Sequence, residues 1–439
     1  MQAQIQNRYE IRDPLHRAIQ ISASEREIVD SPFVQRLRDI RQLGFSHYPF
    51  PGATHTRFIH SLGVMHLAGR VFDTIFDDKP FVSELRRLSL RSCLRLAALL
   101  HDIGHGPFSH TAEFAMPNIH ALGFIDKPDR RAAHEDYTVA ILLNSELALL
   151  IEQNFPFTSR HVAALIDYHI DIHDEFFMLD GIDLRPILSQ CISSNLDVDR
   201  LDYLMRDSYY TGVQYGKIDV DWLISHMARH VNHQGQMALA LDRRALFAFD
   251  HFLVARYHMF LMVYFNRKSV AYEALLQDYM CSAECDYQIP ADLTDYKTID
   301  DSHLWQHLLK QKHPAAQRIV NRQPVKTVFE HEGSAAEVNL DIRCQVLEAS
   351  GIKTYASRCL GTCFSSLKAD QLPIYVLDSA AKDGHLDVPL SSMSSAFRFG
   401  TFEICLSRIF VDRSDLSKAQ DILEQFHAYG EQLPLDKNI

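Results

Sequence analysis

Apolar residues recur at helical spacing through most of the first 290 positions. In "RFIHSLGVMHLAGRVFDTIF" (57–76), Ile59, Leu62, Val64, Leu67, Val71 and Phe72 form one broad stripe, which predicts a helix packed on a core. "LSLRSCLRLAALLHD" (88–102) and "HEDYTVAILLNSELALLIEQ" (134–153) repeat the pattern. "SEREIVDSPFVQRLRDIRQLG" opens on a cap-like Ser24 and stops at Gly44, as a helix pair should. The alternation in "MARHVNHQGQMALALD" predicts a short hairpin turning near Gln234-Gly235. A long, mostly apolar helix is expected over about 243–280.

The pattern changes after "CDYQIPADLTDYKTIDDSH" (285–303), a polar stretch that reads as a boundary or a domain-crossing loop. Helices are expected near 299–322 and 336–350, then strands at "LPIYVLDSA" and "EICLSRIFVD", then the amphipathic helix "LSKAQDILEQFHAYG". The fold class is therefore mainly α, a helical core (1–290) with a small β-hairpin, followed by a smaller helical and α+β region (291–439). No internal repeat or low-complexity segment interrupts it.

Composition narrows the function. With 439 residues there is room for a large core, and 47% hydrophobic with 23% charged residues is ordinary for a globular protein. A net charge of −12 argues against nucleic acid or an anionic membrane as a partner. The opening "MQAQIQNRYEIRDPLH" is too polar for a secretory leader, and "FLVARYHMFLMVYF" (252–265) is short for a membrane span, so a cytoplasmic location is expected. The eight cysteines are scattered. Cys281/Cys285 and Cys359/Cys363 lack zinc-site spacing and partner histidines, so reduced core thiols are expected.

Candidate chemistry starts at "RLAALLHDIGHGPFSHTAEF" (95–114). Adjacent residues on a regular helix diverge by about 100°, so His101 and Asp102 can converge on one ion only at a helix end. Gly104, Gly106 and Pro107 supply that end. Imidazole and carboxylate are ordinary ligands of divalent ions, and such an ion offsets the cost of burying an acid behind "LAALL". Two distant segments add His60, early in a helix, and Asp199, near the start of "DVDRLDYLMRD". On that helix Asp199, Arg200, Tyr203 and Asp207 share a polar side, while Val198, Leu201, Leu204 and Met205 can pack the other.

His60, His101-Asp102 and Asp199 match the H…HD…D metal signature of HD-domain phosphohydrolases. The flanking words "QRLRDIRQLG", "FPGATHTRFIHSLGV", "HDIGHGPFSH", "HE" (134–135) and "DVDRLDYLMRD" resemble the dNTP triphosphohydrolase branch, over roughly residues 8–280. The resemblance implies an all-helical HD core (1–290) holding a divalent ion (manganese, magnesium, iron, zinc or nickel) on His60, His101, Asp102 and Asp199. The 291–439 region would then serve oligomerisation or regulation. The implied reaction converts dNTP and water to deoxynucleoside and triphosphate, with dGTP a candidate preferred substrate and a homo-dimer or homo-tetramer as the assembly. A SAM domain found ahead of the catalytic unit in the family's human member is not expected here.

The same resemblance assigns side chains. His105, His110 and His134 match histidines that support the ligands or move protons, with His110 the general acid, and Glu113 stands at an aspartate position able to orient a histidine. Phosphate contacts are implied for Arg57, Arg200 and Arg256; Arg200 replaces a lysine of the human member and adds a bidentate donor set. Arg267, eleven after Arg256, should share its face. Gln42, Leu43, Tyr203, Asp207 and Tyr264 match residues around the sugar, where a tight fit at the 2′-carbon would reject ribonucleotides. Asp30, Gln35 and Arg38 match an activating-nucleotide site, although Glu10 and Arg12 do not match its N-terminal partners, and Ile59 replaces a glutamate. His47, His55 and His66 receive no role. Two other readings stand beside this one: an HD phosphohydrolase acting on another nucleotide, and a nucleotide sensor with weak hydrolysis. No "GYP" word, typical of the cyclic-dinucleotide branch, occurs.

Overall fold

A computed structural model of the chain describes residues 8–124, 127–333, 338–362, 372–378, 385–386, 388–398 and 403–428. The N-terminus forms an antiparallel hairpin, Arg8–Asp13 with Arg17–Ser22, which the apolar pattern did not announce. Its turn is tied by the Asp13 carboxylate, which accepts the N–H groups of Leu15 and His16 at 2.9 Å each. Helices α1 (Ala23–Val29), α2 (Pro32–Arg36), α3 (Arg57–Ile75) and α4 (Glu84–Leu100) follow. The cap of α1 is Ser22 rather than Ser24: its Oγ accepts the Glu25 N–H while Glu25 reaches back to the Ser22 N–H.

The helices α5 (His134–Asn144), α6 (Glu146–Asn154), α7 (Ser159–Ile166), α8 (Arg185–Ile192) and α9 (Val198–Thr211) complete the helical body. The expected run 134–153 is two helices because Ser145 ends one and caps the next. Helix α3 packs against both α4 and α9. Leu62, Val64, Leu67, Val71 and Phe72 are all buried there, each contributing roughly 1.5–3 kcal/mol by burial.

After α10 (Val220–Ser225), the expected hairpin pairs Met227–Val231 with Met237–Asp242 and turns at Gly235, whose φ of 75 suits glycine. The long helix expected over 243–280 is broken. Helix α11 (Leu246–Met259) runs into a π turn at Phe260–Tyr264, and α12 (Arg267–Met280) starts afresh at an Asn266 cap. The helical run Arg243–Tyr264 passes a length and composition test for crossing a bilayer. Phe249, Phe252, Leu253 and Met259 on it are nevertheless fully buried in the core.

The polar stretch 285–303 does not mark a break in packing. Tyr287, Ile289, Tyr296 and Ile299 enter the main core, and α13 (Leu293–Tyr296), α14 (Asp301–Lys310) and α15 (Pro314–Val320) pack on the same body. A second, smaller core gathers Leu340, Leu347, Ile352, Ile409, Val411 and Ala419. It lies between helices Leu340–Ala349 and Leu416–Ala428 and an antiparallel sheet ordered Lys326–Glu332, Glu403–Val411, Thr354–Thr362. The other expected tail strand joins a different sheet: Tyr375–Leu377 runs parallel to Ala240–Asp242 of the hairpin. Parts of the expected tail elements, at 336–337, 379–380 and 429–430, lie outside the described residues, as does Cys363. Cys93 and Cys191 are core thiols as expected, whereas Cys281 is exposed.

Candidate metal centre and active site

Three helix ends build the site. Helix α3 starts at Arg57 and carries His60, 1% exposed, in its first turn. Helix α4 ends at Leu100, with His101 as its C-cap and Asp102 in the turn beyond. That turn lies against α5, and a Cβ on Gly104 would sit 2.1 Å from the His134 carbonyl oxygen, so only glycine permits the approach. Helix α9 is capped by Asp197, whose carboxylate accepts the Arg200 N–H at 2.8 Å, and this sets Asp199 in the first turn.

The four expected ligands meet. Asp199 Oδ1 lies 3.0 Å from His60 Nε2 and 3.5 Å from His101 Nε2, while Asp102 lies 3.4 Å from His101 Nε2 and 3.8 Å from His60 Nε2. His101 Nδ1 donates to the Ala98 carbonyl at 2.8 Å, which turns its Nε2 lone pair inward, and that buried atom has no hydrogen-bond partner. His60 Nδ1 donates to Asp202 at 2.8 Å, which likewise turns its Nε2 toward the centre, 3.0 Å from Asp199 Oδ1. His60, His101 and Asp102 thus bring ligand atoms around one point, with Asp199 Oδ1 within 3.5 Å of both imidazoles, a donor set that fits a divalent cation.

Electrostatics supports this. Burial opposes charge on His60, but hydrogen bonds and charge from Asp199 and Asp202 outweigh it and raise its pKa to about 10. Burial likewise opposes ionisation of Asp102, yet the Arg57 guanidinium with His101 and His105 holds it well below the usual carboxylate range. Arg57 itself is buried and grips both Asp102 and the Ser109 hydroxyl.

Sequence reading missed the shell behind the ligands. Asp202, fully buried, accepts from His60, from His16 Nε2 at 2.6 Å and from Arg206 at 2.7 and 2.9 Å. Arg206 also donates to Asp13 at 2.8 Å, tying the N-terminal hairpin to α9. The spacing of Asp202, three after Asp199 on one helix face, was the available signal. Nothing local marked His16 or Asp13.

A histidine cluster adjoins the centre. His105 Nε2 is 3.4 Å from Asp102, and its ring stacks on His134 with centroids 3.8 Å apart. Burial, then the charge of Arg57, pushes the His105 pKa well down, so this ring stays neutral. Glu113 joins the others, accepting from His134 Nδ1 at 2.7 Å and His110 Nδ1 at 3.1 Å, and those two bonds outweigh burial to hold its pKa near about 2. His110 is exposed and edge-on to both rings. The shared carboxylate orients both rings through Nδ1 and leaves each Nε2 facing away from Glu113.

The remaining expected contacts divide. Asp207 is buried and accepts from Tyr264 Oη at 2.8 Å and from His55 Nε2 at 2.7 Å, so His55, given no role from sequence, orders this wall. Tyr203 stands edge-on to Tyr264, centroids 6.1 Å apart. Arg256 is buried over the Phe260 ring. Gln42 and Leu43 are half-buried, and Gln42 Oε1 is buried without a partner. Arg200 is gripped by Asp197 at its own helix start. Arg267 does not share the Arg256 face: the π turn intervenes, and it pairs with Glu330 at 2.5 Å on the surface. Asp30 and Arg38 line a cavity of about 380 Å³ with Arg12, while Gln35 joins the Val29 carbonyl to the Arg38 guanidinium.

The HD-domain family profile matches residues 57–207, the segment that contains His60, His101, Asp102 and Asp199. The chain is 32% identical over 267 residues to the uncharacterized protein YwfO of Bacillus subtilis, covering 60% of this chain and 53% of that protein. It is 32% identical over 219 residues to human deoxynucleoside triphosphate triphosphohydrolase SAMHD1, covering 46% of this chain and 33% of the human one. The chain thus spans about half or less of the curated relatives it matches. A solved hypothetical protein from Aquifex aeolicus superimposes with a TM-score of 0.73 at 27% identity, over 95% of this chain and 100% of that one.

Proposed function

The chain carries an HD domain and is related to the dNTP triphosphohydrolases, and from that premise we propose that it cleaves dNTPs to deoxynucleoside and triphosphate with the help of a divalent ion. The observation that carries this reading is the meeting of His60, His101, Asp102 and Asp199 beside a buried arginine and a histidine–glutamate cluster. Those four residues would hold the ion, with manganese, magnesium, iron, zinc and nickel all compatible with two imidazoles and two carboxylates. When bound, the ion supplies polarisation of a phosphoryl oxygen and a lowered pKa for water.

The chain's own groups do the rest. Arg57, held in place by Asp102 and Ser109, takes up charge developing on the phosphate. His110, facing Glu113 through Nδ1, gives its Nε2 proton to the departing 5′-oxygen. His105, kept neutral, and His134 support that cluster. Tyr264, fixed by Asp207, and Tyr203 wall the sugar, and Gln42 offers its unpartnered Oε1 to the 3′-hydroxyl. Arg256 and Arg200 meet the phosphates, for which Arg200 must exchange Asp197. A homo-dimer or homo-tetramer is the expected assembly, checked by light scattering.

Purified protein loaded with Mn²⁺ and incubated with each dNTP, dGTP first, should release inorganic triphosphate on chromatography. Pyrophosphate or monophosphate as product would reassign the reaction to another nucleotide hydrolase. Asp102→Ala should abolish turnover, and full activity in that variant would remove the site.

A further inference from the structure

The C-terminal sheet reaches the wall of the proposed substrate pocket. Side chains alternate faces along a strand, so Ile404, Leu406, Arg408 and Phe410 of strand Glu403–Val411 share one side. The opposite side offers Ile409 and Val411 to the small core. On the shared side Phe410 enters the main core, while Ile404 and Leu406 pack with Phe265 against Tyr257, Phe260 and Tyr264. An arginine is the exception in this apolar row. Arg408 is 3% exposed, and a buried guanidinium is costly unless its donors are taken.

Its donors converge on one junction. Nη1 donates to the Phe265 carbonyl at 2.5 Å, directly after the π turn, and Nε donates to Glu330 at 2.6 Å. Glu330 also accepts from Arg267, the first residue of α12, at 2.8 and 2.5 Å. Phe265 and Arg267 flank the Asn266 cap, so Arg408 and Glu330 clamp the joint between π turn and α12 from both sides. On the neighbouring strand Thr354–Thr362, a Cβ on Gly361 would come within 3.0 Å of the Phe260 ring and 3.1 Å of the Phe265 ring. The turn held in this way carries the pocket wall. Phe260 stands edge-on to Tyr264, centroids 5.3 Å apart, and lies 5.6 Å under the Arg256 guanidinium. Tyr264 in turn reaches Asp207.

We propose that Arg408 is a positioning residue for the hydrolysis: it holds the π turn, and through it Tyr264 and Arg256, in the shape that receives sugar and phosphates. This rests on the function proposed above, and it makes the C-terminal sheet part of the substrate wall. Arg408 lies behind that wall, so removing it should loosen substrate binding more than it slows chemistry. Arg408→Gln should raise KM for the preferred dNTP at least tenfold while kcat falls less than threefold. Arg408→Lys keeps a cationic donor for the Phe265 carbonyl and should recover most of that loss. Ile151→Ala, which opens a cavity in the main core on α6, should lower Tm without moving KM. If circular dichroism shows Arg408→Gln unfolded, Gly361→Ala replaces it, because its methyl presses on the same two rings. An unchanged KM, a lysine variant no better than the glutamine one, or an equal KM rise in Ile151→Ala each overturns the proposal. Hydrogen exchange separates it from the reaction: amides 260–266 should exchange faster in Arg408→Gln than in wild type or Ile151→Ala. Faster exchange in a protein whose wild type shows no turnover removes the proposed reaction and leaves the clamp. Unchanged exchange removes the clamp whatever the turnover.

Discussion

Asp202 shows what one residue can hold in place. It is not among the candidate ligands, yet it bonds His60 Nδ1 directly, which sets that ring's tautomer, and it pairs with Arg206 in a fully buried setting. Asp202→Asn keeps the acceptor but drops the charge, and the outer partner of a ligating histidine is typically worth ~10–100-fold in metal affinity. Metal titration should show a loss of that size, and wild-type affinity would mean His60 is oriented otherwise. Asp301 gives a pH signature. Burial outweighs its two backbone hydrogen bonds and raises its pKa to about 6. The folded state therefore binds more protons than the unfolded one between the ordinary carboxylate value, about 4, and about 6, so this residue's contribution falls as pH rises through that window. It should be flat above the window. Across it the change is on the order of 2–3 kcal/mol. Urea unfolding at pH 4.5 and 7 should show Asp301→Asn gaining stability relative to wild type at the higher pH. Parallel pH profiles for the two proteins would contradict this.

At the scale of elements, the crossing of α3 and α9 decides whether the site closes. A Cβ on Gly63 would lie 2.0 Å from Asp202 Oδ1 and 2.4 Å from Arg206 Nη2. Helix propensity favours Gly63→Ala by only ~1 kcal/mol. Overpacking plus disturbance of a buried ion pair costs more, roughly 3 kcal/mol or above. The substitution should lower both thermal stability and bound metal, and a variant as stable as wild type would show the helices are not pinned there. The π turn at Phe260–Tyr264 works similarly: it lets Tyr264 reach Asp207 while Arg267 swings out to Glu330.

For the whole molecule, His60, His101-Asp102 and Asp199 come from three helices that share one core, so an ion bound to them links those helices only when folded. Binding to the native state stabilises by about 4 kcal/mol at a thousandfold excess over Kd. Chelation should therefore lower Tm in wild type and leave Asp199→Ala unmoved; equal shifts in both would place the metal elsewhere. The small core around Leu347, Ile409 and Ala419 has its own sheet and helices, so its melting need not follow the metal.

The sequence by period alone laid out much of the helical body and the 227–242 hairpin, while the resemblance to the HD phosphohydrolases named His60, His101, Asp102 and Asp199, which the fold then brought together. It also marked Glu113 beside His110, three residues apart. Only tertiary structure decided that His16 and Asp13, from an N-terminal hairpin, buttress Asp202, and that His55 orders Asp207. It likewise sent the two tail strands to different sheets and drew 287–299 into the main core. Those outcomes depend on which buried charges find partners across long loops, and residue spacing carries no record of such pairings.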